Sequence, residues 1–461
     1  MAVTAIESGE NVMQRTYPPR SAVISWIFFD WAAQPYFTLI TTFVFAPYFA
    51  THVASDPASG QALWGFATAA AGMVIALLSP VFGAIADASG RRKPWIAAFG
   101  ALLVIGSSLM WFGRPGDEAG IPALLLAYGI ASIGAEFATV FNNAMMPTLV
   151  PPERIGRLSG TGWATGYIGG ILSLIVVLGF LAASPETGRT LFDLTPLFGL
   201  DPVSHQGDRI SGPLTGLWFI IFVLPMFLLT PDYPARLPVR AALRRGLREL
   251  RQTLAELPRQ RSMATFLIAN MVYTDGLVSL FAFGGIYAAG TFGWNTIQIG
   301  TFGIILADAG TLGAWLGGKL DDALGPKRVI IGSMSVLLFA VIAILLVDKD
   351  HVLFVEVTPP QPGGALFAAA AEKAYLLLGC LIGAAGGPLQ AASRTLLIRI
   401  APQDRIAQYF GLFALTGKVT SFIGPLLIGL VTAATASQKM GMAVLVVFFV
   451  TGLVLLARVR E

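Results

Sequence analysis

Gly83-Ala84-Ile85-Ala86-Asp87-Ala88-Ser89-Gly90-Arg91-Arg92 and Gly318-Lys319-Leu320-Asp321-Asp322-Ala323-Leu324-Gly325-Pro326-Lys327 are two copies of one turn. Each reads G-x-x-x-D-x-x-G followed by basic residues, and each stands where an apolar segment runs out. A second pair recurs in register: Pro151 to Gly166 and Pro402 to Gly417 share Pro, Arg, Ile, Gly, Thr and Gly. Turns that repeat about 240 to 250 residues apart mean two homologous halves. In a membrane protein, such a duplication is the build of an alternating-access carrier.

Composition decides that this is a membrane protein. Of the 461 residues, 55% are hydrophobic and only 12% charged, and mean hydropathy is +0.72. A soluble domain carries about 25% charged residues, so half the usual polar surface is missing. Apolar stretches of roughly 20 residues, long enough to span a bilayer, recur at 21–49, 61–84, 94–113, 121–147, 158–182, 212–230, 263–289, 297–318, 328–347, 373–399, 406–434 and 440–457. The expected fold is all-α and integral to the membrane, with about twelve transmembrane helices in two pseudo-symmetric six-helix bundles. The corresponding division is a cytoplasmic tail at 1–20, a first bundle at 21–230, a basic linker at 231–262 and a second bundle at 263–461.

The linker concentrates charge: Arg236, Arg240, Arg244, Arg245, Arg248, Arg251, Arg259 and Arg261 stand against Asp232, Glu249 and Glu256. Arg244, Arg248 and Arg251 share one helical face, while Leu247, Leu250 and Leu254 share another. That pattern fits a surface-lying amphipathic helix, or a solvated linker whose charge only pins topology. No base-reading module accompanies the charge, so nucleic acid is not an expected partner.

Orientation follows from the basic residues. With the N-terminus inside, the cytoplasmic segments hold Arg15, Arg20, Arg91, Arg92, Lys93, Arg154, Arg157, the linker cluster, Lys327, Arg328, Arg399, Arg405, Arg458 and Arg460. The other side holds only Arg114, Arg189, Arg209, Lys349, Lys373 and Lys439. Both termini are therefore expected in the cytoplasm, on a multi-pass protein of the cytoplasmic membrane. Residues 1–20 lack the apolar core of a secretory signal, which leaves targeting to the first helix.

Several chemistries drop out. Cys380 is the one cysteine, so no disulfide or thiolate metal cluster is expected. His52, His205 and His351 are far apart in sequence, at or beyond outer helix ends, and read as ordinary loop residues. There is no H-E-x-x-H, G-x-S-x-G or complete Walker motif; Gly417-Lys418 is followed by Val419. With no catalytic constellation, no metal and no cofactor, the chain is not an enzyme, and any transport is facilitated or ion-coupled. A single chain holding both halves reads as a monomer.

The duplicated G-x-x-x-D-x-x-G turn in a twelve-helix chain resembles the signature of the major facilitator superfamily. Within it, Asp30-Trp31-Ala32 and Phe45-Ala46-Pro47-Tyr48-Phe49 are similar to the first helix of the Atg22-like branch. So are Phe141-Asn142 with Gly160-Thr161-Gly162-Trp163, Tyr273 to Gly276 with Phe281 to Gly290, and Gln390-Ala391-Ala392-Ser393-Arg394-Thr395. Many relatives carry Asn after the D-W-A, where this chain has Ala33; Gln34 offers a replacement amide. The resemblance covers nearly the whole chain. It implies a central cavity lined by helices 1, 4, 7 and 10 and the movement of small organic solutes, amino-acid efflux being the assignment best known for the branch.

Ionisable residues at membrane depth mark the candidate site. A charge near a helix centre costs roughly 2.5–3.5 kcal/mol on insertion scales, so it faces a bundle interior or a wet cavity. Asp30, Glu136, Asp275, Asp308, Arg394 and Lys418 qualify. Asp30 and Gln34 are spaced i,i+4, and Pro35 removes a backbone hydrogen bond beside them. Asn142 and Asn143 fall at the repeat position of Ser393 and Arg394, and Gln390 is one turn before Arg394.

The expected substrate-binding or coupling set is Asp30, Gln34, Glu136, Asn142, Asn143, Tyr273, Asp275, Gln390 and Arg394. Arg394 suits a carboxylate, and Asp30 or Asp275 suits an amine or a proton. The competing reading of the charged members is a static network in which the acids pair with Arg394 and Lys418. Of the aromatics Trp31, Tyr36, Trp163, Tyr167 and Tyr273, half are expected to pack and half to stack on substrate. Gly83, Asp87, Gly90, Arg91 and Asp322 are expected to gate the cytoplasmic side.

The function expected is a secondary active transporter for a small polar or zwitterionic, amino-acid-like solute, proton-coupled because acids outnumber bases in the spans. A transporter-like sensor and a carrier of a different small organic solute are the alternatives. An output domain would favour the sensor, and residues 1–20 and 231–262 are too short for one.

Overall fold

The helices of the bundle meet their neighbours through apolar and small side chains, and among the described residues twelve are thirteen residues or longer. The computed structural model describes residues 17–460 except 89–90, 152–153, 233–240, 242–243, 245–247, 249–259, 360–364, 402–408, 410–411, 414–415 and 418; of some helical residues, Gly83, Asp87 and Asp322 among them, it describes the backbone alone. In the first half α1 is Arg20–Pro35, α2 Pro57–Ala88, α3 Lys93–Leu109, α4 Ile121–Asn143, α5 Ile155–Val176 and α6 Ser211–Leu229. In the second, α7 is Arg261–Phe292, α8 Thr296–Leu324, α9 Pro326–Ile344, α10 Ala370–Ile400, α11 Ile423–Thr435 and α12 Gln438–Ala457.

Each apolar stretch of the sequence coincides with one of these helices. Ten are long and apolar enough to cross a membrane. The other two are α1, which continues past Pro35 as wide π-helical turns over Tyr36–Phe43, and α11, whose preceding residues are largely outside the described set. The linker's expected amphipathic helix also lies outside the described residues. A two-stranded hairpin, His351–Val352 with Val355–Glu356, is the one sheet described.

The halves share one packing scheme. α1 packs on α5 and α6 while α3 packs on α4 and α6; α7 and α9 pack on α12, and α10 on α8 and α9. Close approach rests on missing side chains, as expected where lipid removes the hydrophobic drive for helix association. At Gly313 of α8 a methyl group would collide with the backbone of Ala384 on α10. Gly313→Leu is therefore expected to cost about 3 kcal/mol or more and to lower the melting temperature in detergent. Gly332→Leu, where nothing stands within 4 Å of an added Cβ, should leave it unchanged.

The repeated turns do mechanical work that their charge alone did not reveal. The Lys93 ammonium donates to the Phe227 carbonyl at the end of α6, 2.8 Å away. Its counterpart Lys327 donates to the Val459 carbonyl just past α12, at 2.6 Å. In each half, then, the lysine after the turn satisfies a carbonyl left open at a helix C-terminus and places a positive charge at the negative end of its dipole. Asp232 completes the first clamp by accepting from the backbone N–H groups of Arg92 and Lys93 at 2.8 and 3.1 Å. The closing glycine of the second turn, Gly325, takes a φ of +86°, which a side chain would resist.

The two halves meet unevenly along the bundle axis. Two faces are defined by the chain: a terminal face, where α1 begins and α12 ends, and a far face, where α1 turns into α2. α7 meets α1 along Tyr36–Val53, whereas Arg20–Pro35 packs on α5 and α6. At the far side, an added Cβ on Gly285 would sit 2.6 Å from the Thr42 carbonyl, and one on Gly303 2.7 Å from Phe43. The described hydrogen bonds between halves cluster there too. Gln61 donates to Thr432 and to the Gln438 carbonyl at 2.9 and 3.2 Å, and Gln438 donates to the Pro57 carbonyl at 2.9 Å. Among the described residues, the halves are closed at the far face and part towards the terminal face.

Candidate functional site

Asp30 stands on α1 one helical turn before Gln34, and the two face a smooth strip on α5. Gly162, Gly166 and Gly170 recur there at the same four-residue spacing. A Cβ on Gly162 would strike the Asp30 carboxylate; one on Gly166 would lie 3.3 Å from the Asp30 Cβ and 3.4 Å from the Gln34 amide oxygen. On Gly170 it would come within 2.8 Å of Gln34 and 2.5 Å of Thr38. A polar row on α1 thus lies against a side-chain-free row on α5, with both Asp30 and Gln34 half-buried. The regular turns of α1 end at Pro35, immediately after this pair. Removing a backbone donor there loosens the helix into its wide turns.

Asp275 repeats the arrangement in the second half. It is buried on α7, 4% exposed, with Thr420 beside it in the chain leading into α11. A Cβ on Gly424 of α11 would sit 3.2 Å from the Asp275 carbonyl. In both halves a glycine of the fifth helix lies against the first at its acid, meeting the carboxylate of Asp30 but the backbone carbonyl of Asp275.

Cross-links from the first to the fourth helix of each half are likewise paired. The Trp26 indole donates to the Asn142 carbonyl at 2.9 Å, joining α1 to α4. Tyr273 and Ser393 share a hydroxyl–hydroxyl hydrogen bond of 2.6 Å, joining α7 to α10. Tyr273 is 1% exposed, so in this conformation it braces the wall and does not reach a ligand. Asn142 is fully buried, and its side-chain amide has no described partner. Asn143 beside it is exposed. Glu136 is half-buried on α4, one turn from Ser132, and acts electrostatically on the Tyr36 hydroxyl that Ser132 holds at 2.6 Å.

Gln390 and Arg394 are both exposed on one face of α10, about a quarter turn round the helix from Ser393, which meets α7. No acid among the described residues pairs with Arg394, and Asp308, exposed on α8, does not reach it. The static network expected as the competing reading is therefore absent among the described residues; Lys418 lies outside them. The aromatics divide as expected in kind. Trp31 stacks on Trp218 at 6.1 Å, Tyr36 and Tyr273 are buried, and Trp163 and Tyr167 stand exposed 5.9 Å apart.

Of the gating set, Arg91 is exposed, Gly90 lies outside the described residues, and so do the side-chain surroundings of Gly83, Asp87 and Asp322. Sequence reasoning missed the glycine strip on α5. The four-residue spacing of Gly162, Gly166 and Gly170, matching that of Asp30, Gln34 and Thr38, was the available signal. Among the described residues no three His, Cys, Asp or Glu side chains converge as a metal ligand set.

Known proteins agree with this architecture. The chain is 25% identical over 449 residues to the MFS-type transporter YxiO of Bacillus subtilis (strain 168), covering 95% of this chain and 94% of that one. It is 25% identical over 317 residues to autophagy-related protein 22 of Yarrowia lipolytica, covering 64% of this chain and 49% of that longer protein. Among solved structures, a bacterial homologue of the human lysosomal transporter Spinster, inward-facing and unoccupied, superposes with a TM-score of 0.67 at 15% identity, 95% of each chain being covered. A D-xylose-proton symporter superposes at 0.64 with 14% identity, over 96% of this chain and 98% of that one. At such identities the structural likeness speaks for the fold alone, that of the major facilitator transporters. The family pattern described as "Vacuole effluxer Atg22 like" matches residues 61–461, and the chain belongs to that family.

Proposed function

We propose that this chain carries a small polar or zwitterionic, amino-acid-like solute across a cytoplasmic membrane by alternating access, driven by protons. The reading rests above all on one observation: the halves close on one face and part on the other, with an acid on the first helix of each half, Asp30 and Asp275. In this reading Arg394 and Gln390 line the cleft and take the carboxylate of the solute, Asp30 with Gln34 receives its amino group, and Asp275 carries the proton. Glu136, Asn142 and Asn143 complete the polar wall. Support comes from the relatives as well: the family is named for a vacuolar effluxer, and one fold neighbour is a proton symporter.

The same proposal makes the terminal face cytoplasmic and divides the chain into a tail at 1–20, bundles at 21–230 and 263–461, and the basic linker between. The bias of Lys and Arg towards that face supports it. Gly83, Asp87, Gly90, Arg91 and Asp322 then serve the cytoplasmic gate.

Purified protein in liposomes, offered a radiolabelled amino-acid mixture with and without an imposed pH gradient, tests the reading. Gradient-dependent accumulation of a zwitterion is the expected result. Flux of another solute class alone would replace the substrate, and no flux of any solute would favour a sensor. Orientation is read separately in a Cys380→Ala background: a cysteine at position 245 should resist an impermeant reagent added outside intact cells, and its labelling would invert the topology.

A further inference from the structure

The far-face closure contains a cluster that the transport reading leaves unused. The span of α1 ends near Phe49, and His52 lies in the turn beyond it, with an edge open to solvent. Its ring stands over that of His205, from the connection between α5 and α6, with centroids 3.9 Å apart. Tyr48 flanks both rings, at 5.9 and 5.4 Å. His205 Nδ1 is 2.9 Å from one carboxylate oxygen of Asp208. The other oxygen of Asp208 accepts from the hydroxyl of Thr296, at the start of α8.

That last bond joins the two halves, and Asp208 is buried, 5% exposed, when it is made. Trp294, Asn295 and Ile297 of the second half close over the imidazoles, leaving a cavity of about 20 Å³, room for about one water.

We infer that this cluster is a proton-operated latch on the far gate. Asp208 and Thr296 hold the halves shut, and the His52–His205 pair releases them when the medium on that face turns acidic. The physical reason is that closure takes water from one side of the His52 ring, whose other edge stays open. Opening withdraws the wall from Trp294 to Ile297 and returns water to that side, so a proton on His52 binds the open state better than the closed one.

In the closed state His52 is held below the ordinary histidine range, chiefly by desolvation and next by His205, with Asp208 opposing. The sign follows. Closure is undisturbed above the ordinary histidine pKa of about 6.5 and weakens as pH falls through it. Other charged groups stand around the pair. Asp208 and Asp201 favour charge on it; Arg209, next to Asp208 in sequence, donates from Nε to the Trp111 carbonyl at 2.8 Å, with Arg114 near it. From α8 only neutral groups, Asn295 and Thr296, face the cluster. Each unit of pKa between the two states moves the gate equilibrium about tenfold.

The test is a distance measurement, independent of any transport reading. Spin labels on Thr187→Cys, exposed in the connection between α5 and α6, and Lys439→Cys, exposed in the first turn of α12, are placed in the full chain with Cys380→Ala and read in lipid nanodiscs. Between pH 7.5 and 5.5 the separated population should rise about tenfold relative to the closed one. His52→Gln with His205→Gln should abolish that response, and Thr296→Val should enlarge the separated population at both pH values. Should the double variant fold poorly, His52→Gln alone, at an exposed position, must at least halve the response. A pH response unchanged in the histidine variants, or no response in the parent, would overturn the latch. So would a Thr296→Val protein as closed as its parent.

Discussion

Asp275→Asn is expected to collapse proton-driven accumulation of substrate to the equilibrium level while sparing counterflow exchange. Asparagine keeps the size and polarity of the side chain and leaves the backbone carbonyl beside Gly424 in place, so the packing of α7 against α11 persists. What it removes is the site that can gain and lose a proton. A carboxylate is a useful coupling group because desolvation favours its neutral form and hydration or a nearby cation favours its charged form. A cavity opening alternately to each face supplies that change without covalent chemistry. Exchange needs only loaded carriers to turn over, whereas accumulation needs the proton. The measurement is uptake into liposomes at matched and opposed pH gradients. Accumulation with wild-type pH dependence would make Asp275 a structural residue and move coupling to Asp30 or Glu136.

The second large effect is expected at Arg394. A hydrogen bond to a charged group contributes about 1.5–3 kcal/mol, so Arg394→Ala should weaken carboxylate-bearing substrates roughly tenfold to a hundredfold. Arg394→Lys should restore only part of this, since an ammonium lacks the planar fork that grips two carboxylate oxygens. The side chain is exposed and no acid pairs with it among the described residues, so its loss should leave the melting temperature of the empty protein unchanged. Ligand-induced thermal shifts read the affinity. If the amide-capped analogue of a substrate loses as much affinity as the free carboxylate, the arginine does not bind the carboxylate.

Much of the architecture was legible before any coordinates. Apolar runs of membrane length cannot be satisfied in lipid except as helices, so twelve runs became twelve helices. The duplicated G-x-x-x-D-x-x-G turn announced two like halves, and the packing of α1 on α5 and α6 beside that of α7 on α12 obeys it. The acids on α1 and α7 were legible for the same reason: charge at membrane depth is costly enough to need a purpose. An aromatic such as Tyr273 at a cavity helix reads alike whether it faces a ligand or a hydroxyl across the wall; that it bonds Ser393 in this conformation is visible only in the structure.

Sequence by itself determined the class, the number of spans, the duplication and which helices carry buried acids, because hydropathy and repetition act along the chain. Only the tertiary structure decided which residues meet. His52 and His205 read as unrelated loop residues, yet folding of the first half brings their rings together beside Asp208, which Thr296 of the second half meets. Lys93 and Lys327 read as topology-setting charge, yet each grips a carbonyl at the end of its own bundle's last helix. The state of the gate belongs to the same category. One sequence must fold into both an open and a closed arrangement, so what selects between them is contact between halves distant in sequence.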